Sequence, residues 1–356
     1  MVMKTKWLNV IALVLVVVAV ALVGFKNIKR DKGHPILNVS YDPTRELYNE
    51  INQKFIQKYE DESGAWVGVE QSHGGSTHQA KAVVAGLAAD VVTLALPSDI
   101  ETLVAHGLVN KDWQTRFPNH AQPYSSTIVF VVRKSNPKHI RDWPDLIGQD
   151  ISVITPDPRT SGNGKLSFLA GWGAVIYRGG SEEQARDFIK QLYEHVPVLG
   201  QGARDSTTTF ALEGVGDVHL TWENEAIREV NAAKGELELV YPPVSIRAEP
   251  SVALVDTNVA QHQSAAAAKA YLDFLYTDQA QEILAKNGYR PFNDEILKKH
   301  KAQLPDITLF PVTLLAKDWS DAQTRFFGDN GIFDIIRKPS SQSHSANNQF
   351  HPNIDQ

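Results

Sequence analysis

Apolar and polar positions along this chain switch repeatedly between a period of two and a period near 3.6, and that switching predicts the layout. Ile36-Leu37-Asn38-Val39-Ser40 reads as a short strand. Asp42-Pro43 then opens a helix, with aspartate at the cap and proline at the first helical position. Leu47, Ile51 and Phe55 recur at i, i+4 and i+8 and give that helix its buried face. Val67 and Val69 alternate in a strand near 66–71, and the turn Gln71-Ser72-His73-Gly74-Gly75-Ser76-Thr77 follows. A helix near 76–87 comes next, with Ser76 as its cap and Ala80, Val83, Val84 and Leu87 inward. Val91 to Leu96 is unbroken apolar, as a strand covered on both faces requires. Ser98-Asp99-Ile100-Glu101 has the form of a capping box for a further helix.

A second set begins after Pro123. Thr127 to Val132 and Ile151 to Ile154 are strand candidates, the latter leading into Pro156-Asp157-Pro158-Arg159-Thr160-Ser161-Gly162-Asn163-Gly164. The helix after this turn buries Phe168, Leu169, Trp172, Val175 and Ile176, and Gly179-Gly180 ends it. Ser181 and Gln184 cap the next helix. Short strands are expected at 197–199, 218–221, 237–241 and 251–255, and one long helix at 264–287, before Tyr289-Arg290-Pro291. Strand–helix alternation of this kind indicates an α/β layer architecture. No internal repeat and no heptad pattern is visible.

Composition narrows the class. The chain has 356 residues, 42% apolar and 21% charged, enough for one large or two medium domains. The net charge of −6 provides no basic field, so nucleic acid is excluded as a partner. The absence of cysteine excludes disulfides, thiolate metal sites, a cysteine nucleophile and a lipid anchor on cysteine. At the N-terminus, Lys4 and Lys6 precede an apolar run from Trp7 to Phe25, and Lys26, Lys29, Arg30 and Lys32 follow. The run is long for a signal-peptide core and just long enough to cross a bilayer. Residues 1–30 are therefore expected to be an export signal or an uncleaved membrane anchor, and both place the bulk of the protein outside the cytoplasm. Residues 339–356, rich in Ser, Asn, Gln and His, are expected to form a disordered tail.

Three Gly- or Ser-bearing turns precede helices, at 72–77, 160–164 and 200–206, and Asp42-Pro43 marks a fourth helix start. Each helix start offers unpaired N–H groups and partial positive charge, a setting that binds an anion. Gly164-Lys165 resembles the end of a phosphate-binding loop, but Leu166 replaces the required Ser/Thr. A hydrolase could draw on Ser76 and His73, yet no Gly-x-Ser-x-Gly elbow exists. No metal-binding motif is present. Trp222, at the end of a strand, is either a core residue or an indole donor aimed into a cleft.

At this point the residues match a family. Asn38 to Leu47, Gln71 to Ser76, Ala89 to Leu96, Val153 to Pro156, Gly202-Ala203-Arg204, Trp222 to Ala226 and Tyr289-Arg290-Pro291 strongly resemble periplasmic sulfate-binding proteins, over residues 36 to 337. The resemblance implies a two-lobed α/β periplasmic-binding-protein (type II) fold with two hinge strands. Lobe I would comprise 36–123 plus 245–337, and lobe II 124–244. It also implies a sulfate or thiosulfate ion in the cleft, delivered to the membrane subunits of an ABC importer by a monomer, without catalysis or cofactor. The implied ligand groups are the Asp42 amide, the Ser76 hydroxyl and amide, Ser161, Gly162 and Asn163 from the second lobe, the Ala203 amide and the Trp222 indole. Asn163 stands where the family commonly has a second glycine, and Asp205 replaces a small residue. Arg45 and Arg204 are the candidate partners for the Asp42 carboxylate, which must not face an anion. Molybdate or another oxyanion, and a hydrolase using Ser76, remain as alternatives.

Overall fold

The computed structural model describes residues 34–337, so the N-terminal apolar segment and the C-terminal tail lie outside the described residues. Two sheets form the centres of two lobes. The first has the order Ser251–Leu254, Val91–Leu94, Ile36–Tyr41, Val69–Gly74; its last three strands run parallel and Ser251–Leu254 runs antiparallel to Val91–Leu94. Val91, Val92 and Leu94 are fully buried, which is why this strand lacks polar alternation. The second sheet has the order Leu199–Gly200, Val153–Pro156, Val218–Trp222, Ile128–Arg133, Leu237–Val240, and its register sets Ile128 beside Trp222. The helices expected around these strands are present, including the reciprocal cap between Ser181 and Gln184.

The chain crosses between lobes through Tyr124–Ser125 on the way out and after Val244–Ile246 on the way back. These two hinge segments are tied by a reciprocal backbone pair, Ser126 N–H to Ala248 O at 3.1 Å and Ala248 N–H to Ser126 O at 2.9 Å. A third passage was not expected. Arg290–Pro291 pairs with Tyr124–Ser125, and Thr308–Phe310 then joins Val244–Ile246 in a parallel pair.

That passage corrects one boundary. Residues 308–337, expected in lobe I, pack into the core of the second lobe, where Phe310, Trp319, Phe326 and Phe333 share a cluster with Trp143, Phe168 and Trp172. Phe168 meets the edges of Phe326, Phe327 and Phe333 at 5.3–6.0 Å, the geometry that aromatic quadrupoles favour. The helix expected at 264–287 is also broken, into Ala265–Phe274 and Asp278–Lys286. Thr277 stops it: its hydroxyl donates to Phe274 O and accepts from Ala280 N–H, ending one helix and starting the next.

Candidate functional site

The C-terminal ends of strands from both sheets face each other across one cleft. From the first lobe come the 3-10 turn Asp42–Thr44, after strand Ile36–Tyr41, and the start of helix Ser76–Val84, after strand Val69–Gly74. From the second come the starts of helices Gly162–Tyr177 and Ala203–Thr207, and Trp222 at the end of its strand. The first N–H groups of such helices have no acceptor in their own helix. Two of them are met by nearby protein groups, His78 N–H by Thr160 O at 3.4 Å and Gly164 N–H by Ser161 Oγ at 3.5 Å.

Close approaches show how tightly these ends converge. A β-carbon at Gly75 would lie 2.5 Å from Thr160 O and 3.0 Å from Gln201 O, so this turn of the first lobe sits against two backbone carbonyls of the second. A β-carbon at Gly162 would lie 2.6 Å from Ala95 Cβ and 3.4 Å from Ser76 Cβ. Gly202, the cap before Ala203, rests against the Asp42 carboxylate. The Trp222 ring packs on Tyr41 at 5.2 Å. These contacts set Gly202 beside Asp42, Gly162 beside Ser76 and Trp222 beside Tyr41, with Ser161, Asn163 and Ala203 adjacent in the chain.

Several details differ from the sequence reading. The cap of the Ser76 helix is Gly75, and Ser76 is its first residue. Its hydroxyl does not cap: it donates to Asp99 Oδ2 at 2.5 Å and accepts from Ala95 N–H at 2.9 Å. A hydroxyl has one hydrogen, so Ser76 offers the cleft its amide rather than its O–H. The capping box at 98–101 is not made either. Helix Pro97–Ala105 has no side-chain cap, Asp99 turns to Ser76 and Thr77, and Glu101 accepts from the Trp113 indole. No Ser76–His73 bond is formed among the described hydrogen bonds, so the nucleophile–base pair of a hydrolase is not assembled.

Ser161 caps its helix weakly, accepting from Gly164 N–H at 3.5 Å, while its own N–H goes to Asp157 O at 3.0 Å. The Asn163 side chain turns toward the sheet and donates to Leu220 O at 3.2 Å, which leaves its Oδ1 buried without a partner. Asp205 braces the third turn by accepting from Gln201 N–H at 2.9 Å.

Full charges near the cleft are paired with one another. Asp42 is held by Arg45 at 2.8 Å, one of the two partners foreseen. The other, Arg204, is engaged elsewhere: it bridges Glu225 of its own lobe and Glu46 of the opposite lobe, both at 3.1 Å. Arg228 also contacts Glu46. Burial pushes the Glu225 carboxyl up to about 7, against the pull of Arg204. His73 is pushed down to about 4, by burial first and then by Arg45 and Arg204. On the far side, Lys165 reaches across to Thr77 at 2.7 Å and Asp99 at 3.5 Å.

Two stretches noted in the sequence meet here. Arg290 holds Glu223 through two bonds of 2.7 Å, and Asn224 donates to Tyr289 Oη at 2.9 Å. Tyr289 in turn donates to Pro43 O at 2.7 Å, so the segment after Trp222 is fixed to the first lobe. Sequence reasoning missed Asp99, Glu46, Glu225 and the role of Lys165. One signal was available: every residue from Gly162 to Ala174 is buried, and a lysine inside such a helix requires a partner.

Comparison with known proteins identifies the family. The family described as bacterial extracellular solute-binding protein matches residues 36–290. The sulfate-binding protein of Salmonella typhimurium is 46% identical over 309 residues, 86% of this chain and 94% of that one. The thiosulfate-binding protein of Pseudomonas aeruginosa is 46% identical over 312 residues, 86% of this chain and 93% of the other. Among solved structures, the sulfate-binding protein SubI from Mycobacterium tuberculosis superposes with a TM-score of 0.75 at 33% identity, covering 83% of this chain and all of that one.

Proposed function

The chain belongs to the bacterial extracellular solute-binding protein family, and on that premise we propose that it captures sulfate between its lobes and hands it to an ABC importer. The observation that supports this reading is the close approach of helix starts from both lobes at Gly75, Gly162 and Gly202. The donors this reading assigns there are the Asp42, Ser76, Gly162, Asn163 and Ala203 amides, the Ser161 hydroxyl and the Trp222 indole, and the neighbouring charges are tied to each other. Sulfate is fully deprotonated at neutral pH and only accepts hydrogen bonds. Each charge-assisted bond from such a donor contributes roughly 1.5–3 kcal/mol. Helix starts spread the compensating positive charge over neutral groups. Contacts from both lobes bind the closed form better than the open one, which is what shifts the population toward closure.

Thiosulfate is the second reading. It has the same charge, and relatives named for thiosulfate stand as near as those named for sulfate. Hydrogen phosphate brings a proton that needs an acceptor. The assigned site offers donors only, and leaving that proton unpaired costs about 1–3 kcal/mol. Tryptophan fluorescence titration with sulfate, thiosulfate, phosphate and molybdate tests the reading, with Trp222 as reporter. Saturable responses to the first two, and none to phosphate, support it; silence to all four rejects it. The protein works as a monomer outside the cytoplasm, in the periplasm. Its leader either is cut or remains as an inner-membrane tether, which the mass of the protein from its native host distinguishes.

A further inference from the structure

We infer that Lys165 and Asp99 are a charge-balancing pair that positions the Ser76 side of the anion site and forms across the cleft when the lobes close. The inference rests on the sulfate reading above. Asp99 belongs to the first lobe and is 2% exposed. It accepts from Ser76 Oγ at 2.5 Å and from Thr77 Oγ1 at 2.9 Å, so it orients the first two residues of the helix whose N–H groups face the cleft. By itself, this carboxylate would set a buried negative charge one residue away from a doubly negative ligand. Low-dielectric surroundings make that costly.

Lys165 answers that charge from the other lobe. It sits in the first turn of helix Gly162–Tyr177, is 2% exposed, and places Nζ 2.7 Å from Thr77 Oγ1 and 3.5 Å from Asp99 Oδ1. Burial disfavours its charged form and Asp99 favours it, so each charge makes the other tolerable. Neither group contacts the ligand in this scheme. Lys165 cancels the field of Asp99, and Asp99 holds Ser76 with its amide presented and its hydroxyl turned away. The pair also borders a polar cavity of about 280 Å³ lined by Lys81, Arg159, Gln323 and Asp329 at the edge of the lobe interface.

The scheme predicts a pattern that simple packing would not give. Sulfate affinity is measured by calorimetry for the wild-type chain, Lys165→Met, Asp99→Asn and the double variant, with unfolding midpoints recorded without anion. Lys165→Met leaves Asp99 uncompensated and weakens sulfate binding by about tenfold or more, because one partner of a buried pair is stranded. Asp99→Asn, which keeps an acceptor for Ser76, weakens it only a few-fold. The double variant binds like Asp99→Asn, so the second change rescues the first. Losses that multiply in the double variant, or a Lys165→Met protein that binds like wild type, overturn the inference. A wild-type chain that ignores sulfate overturns the functional reading instead, and the inference falls with it.

Discussion

The floor of the cleft, as proposed, presents the N–H groups of Ser76, Gly162, Ala203 and Trp222, and the Asp42 carboxylate beside them is tied to Arg45. Along the rims, full charges cross the same gap: Lys165 to Asp99 on one side, and Arg204 with Arg228 to Glu46 on the other. The floor can hold a dianion because nothing on it must be neutralised when the ligand leaves. The rims bind no ligand and only join lobe to lobe. They also differ from each other. The Lys165–Asp99 side chains are 2% exposed each, whereas Arg204 and Glu46 are 29% and 42% exposed. Water and salt screen the second pair and barely reach the first.

Changes to the floor should do the most. Gly75 has ordinary extended angles (φ −58°, ψ 133°), so a side chain there strains nothing in the open form, yet it meets Thr160 O and Gln201 O on closure. Gly75→Val is expected to weaken sulfate binding by about 100-fold, the scale of an overpacked contact, with little change in the ligand-free unfolding midpoint. Equal loss of stability and binding would show that the turn matters to the fold rather than to closure. Trp222→Phe keeps the ring against Tyr41 and removes one donor, and should cost about tenfold by calorimetry. An unchanged affinity would remove the indole from the site.

The exposed rim should matter less. Glu46→Gln is expected to weaken sulfate binding by about two- to fivefold at low ionic strength, and by less as salt is raised. A loss that persists in high salt would mean the floor and this rim are not separate. The smallest effects concern pH. Glu225, raised to about 7 from 4.5, stabilises the fold as its neutral form fully below about 4.5, and this contribution is lost as pH rises through 7. His73, lowered to about 4 from 6.5, acts in the opposite sense, its contribution being present above 6.5 and lost as pH falls toward 4. Relative to wild type, Glu225→Gln should therefore gain in unfolding midpoint between pH 5 and 8, and His73→Gln should gain between pH 6.5 and 4. Parallel melting curves across that range would contradict both assignments.

Local pattern carried most of the strands and the helix starts, because apolar period and turn residues are read within a few positions. The helix starts proposed to form the floor were legible for the same reason: glycine and serine before a helix mark where its first N–H groups fall. Position 76 shows the limit. That a serine stands there is local, but the direction of its hydroxyl is decided by Asp99, in another helix. The rims were invisible because Glu46, Arg204 and Lys165 look like ordinary charged residues until folding sets them opposite a partner. The placement of 308–337 failed similarly, since Phe310, Phe326 and Phe333 announce burial without saying which core receives them.

Anomalous diffraction from a crystal soaked in selenate, an isostere of sulfate, bears most directly on the claim that neutral donors from both lobes hold the anion. The expected result is one selenium peak on the floor, with N–H groups from Asp42, Ser76, the Gly162 turn, Ala203 and Trp222 within hydrogen-bond distance and no lysine or arginine nitrogen among them. A peak bound to the Lys165 ammonium or the Arg204 guanidinium, or a peak touching one lobe alone, would contradict it.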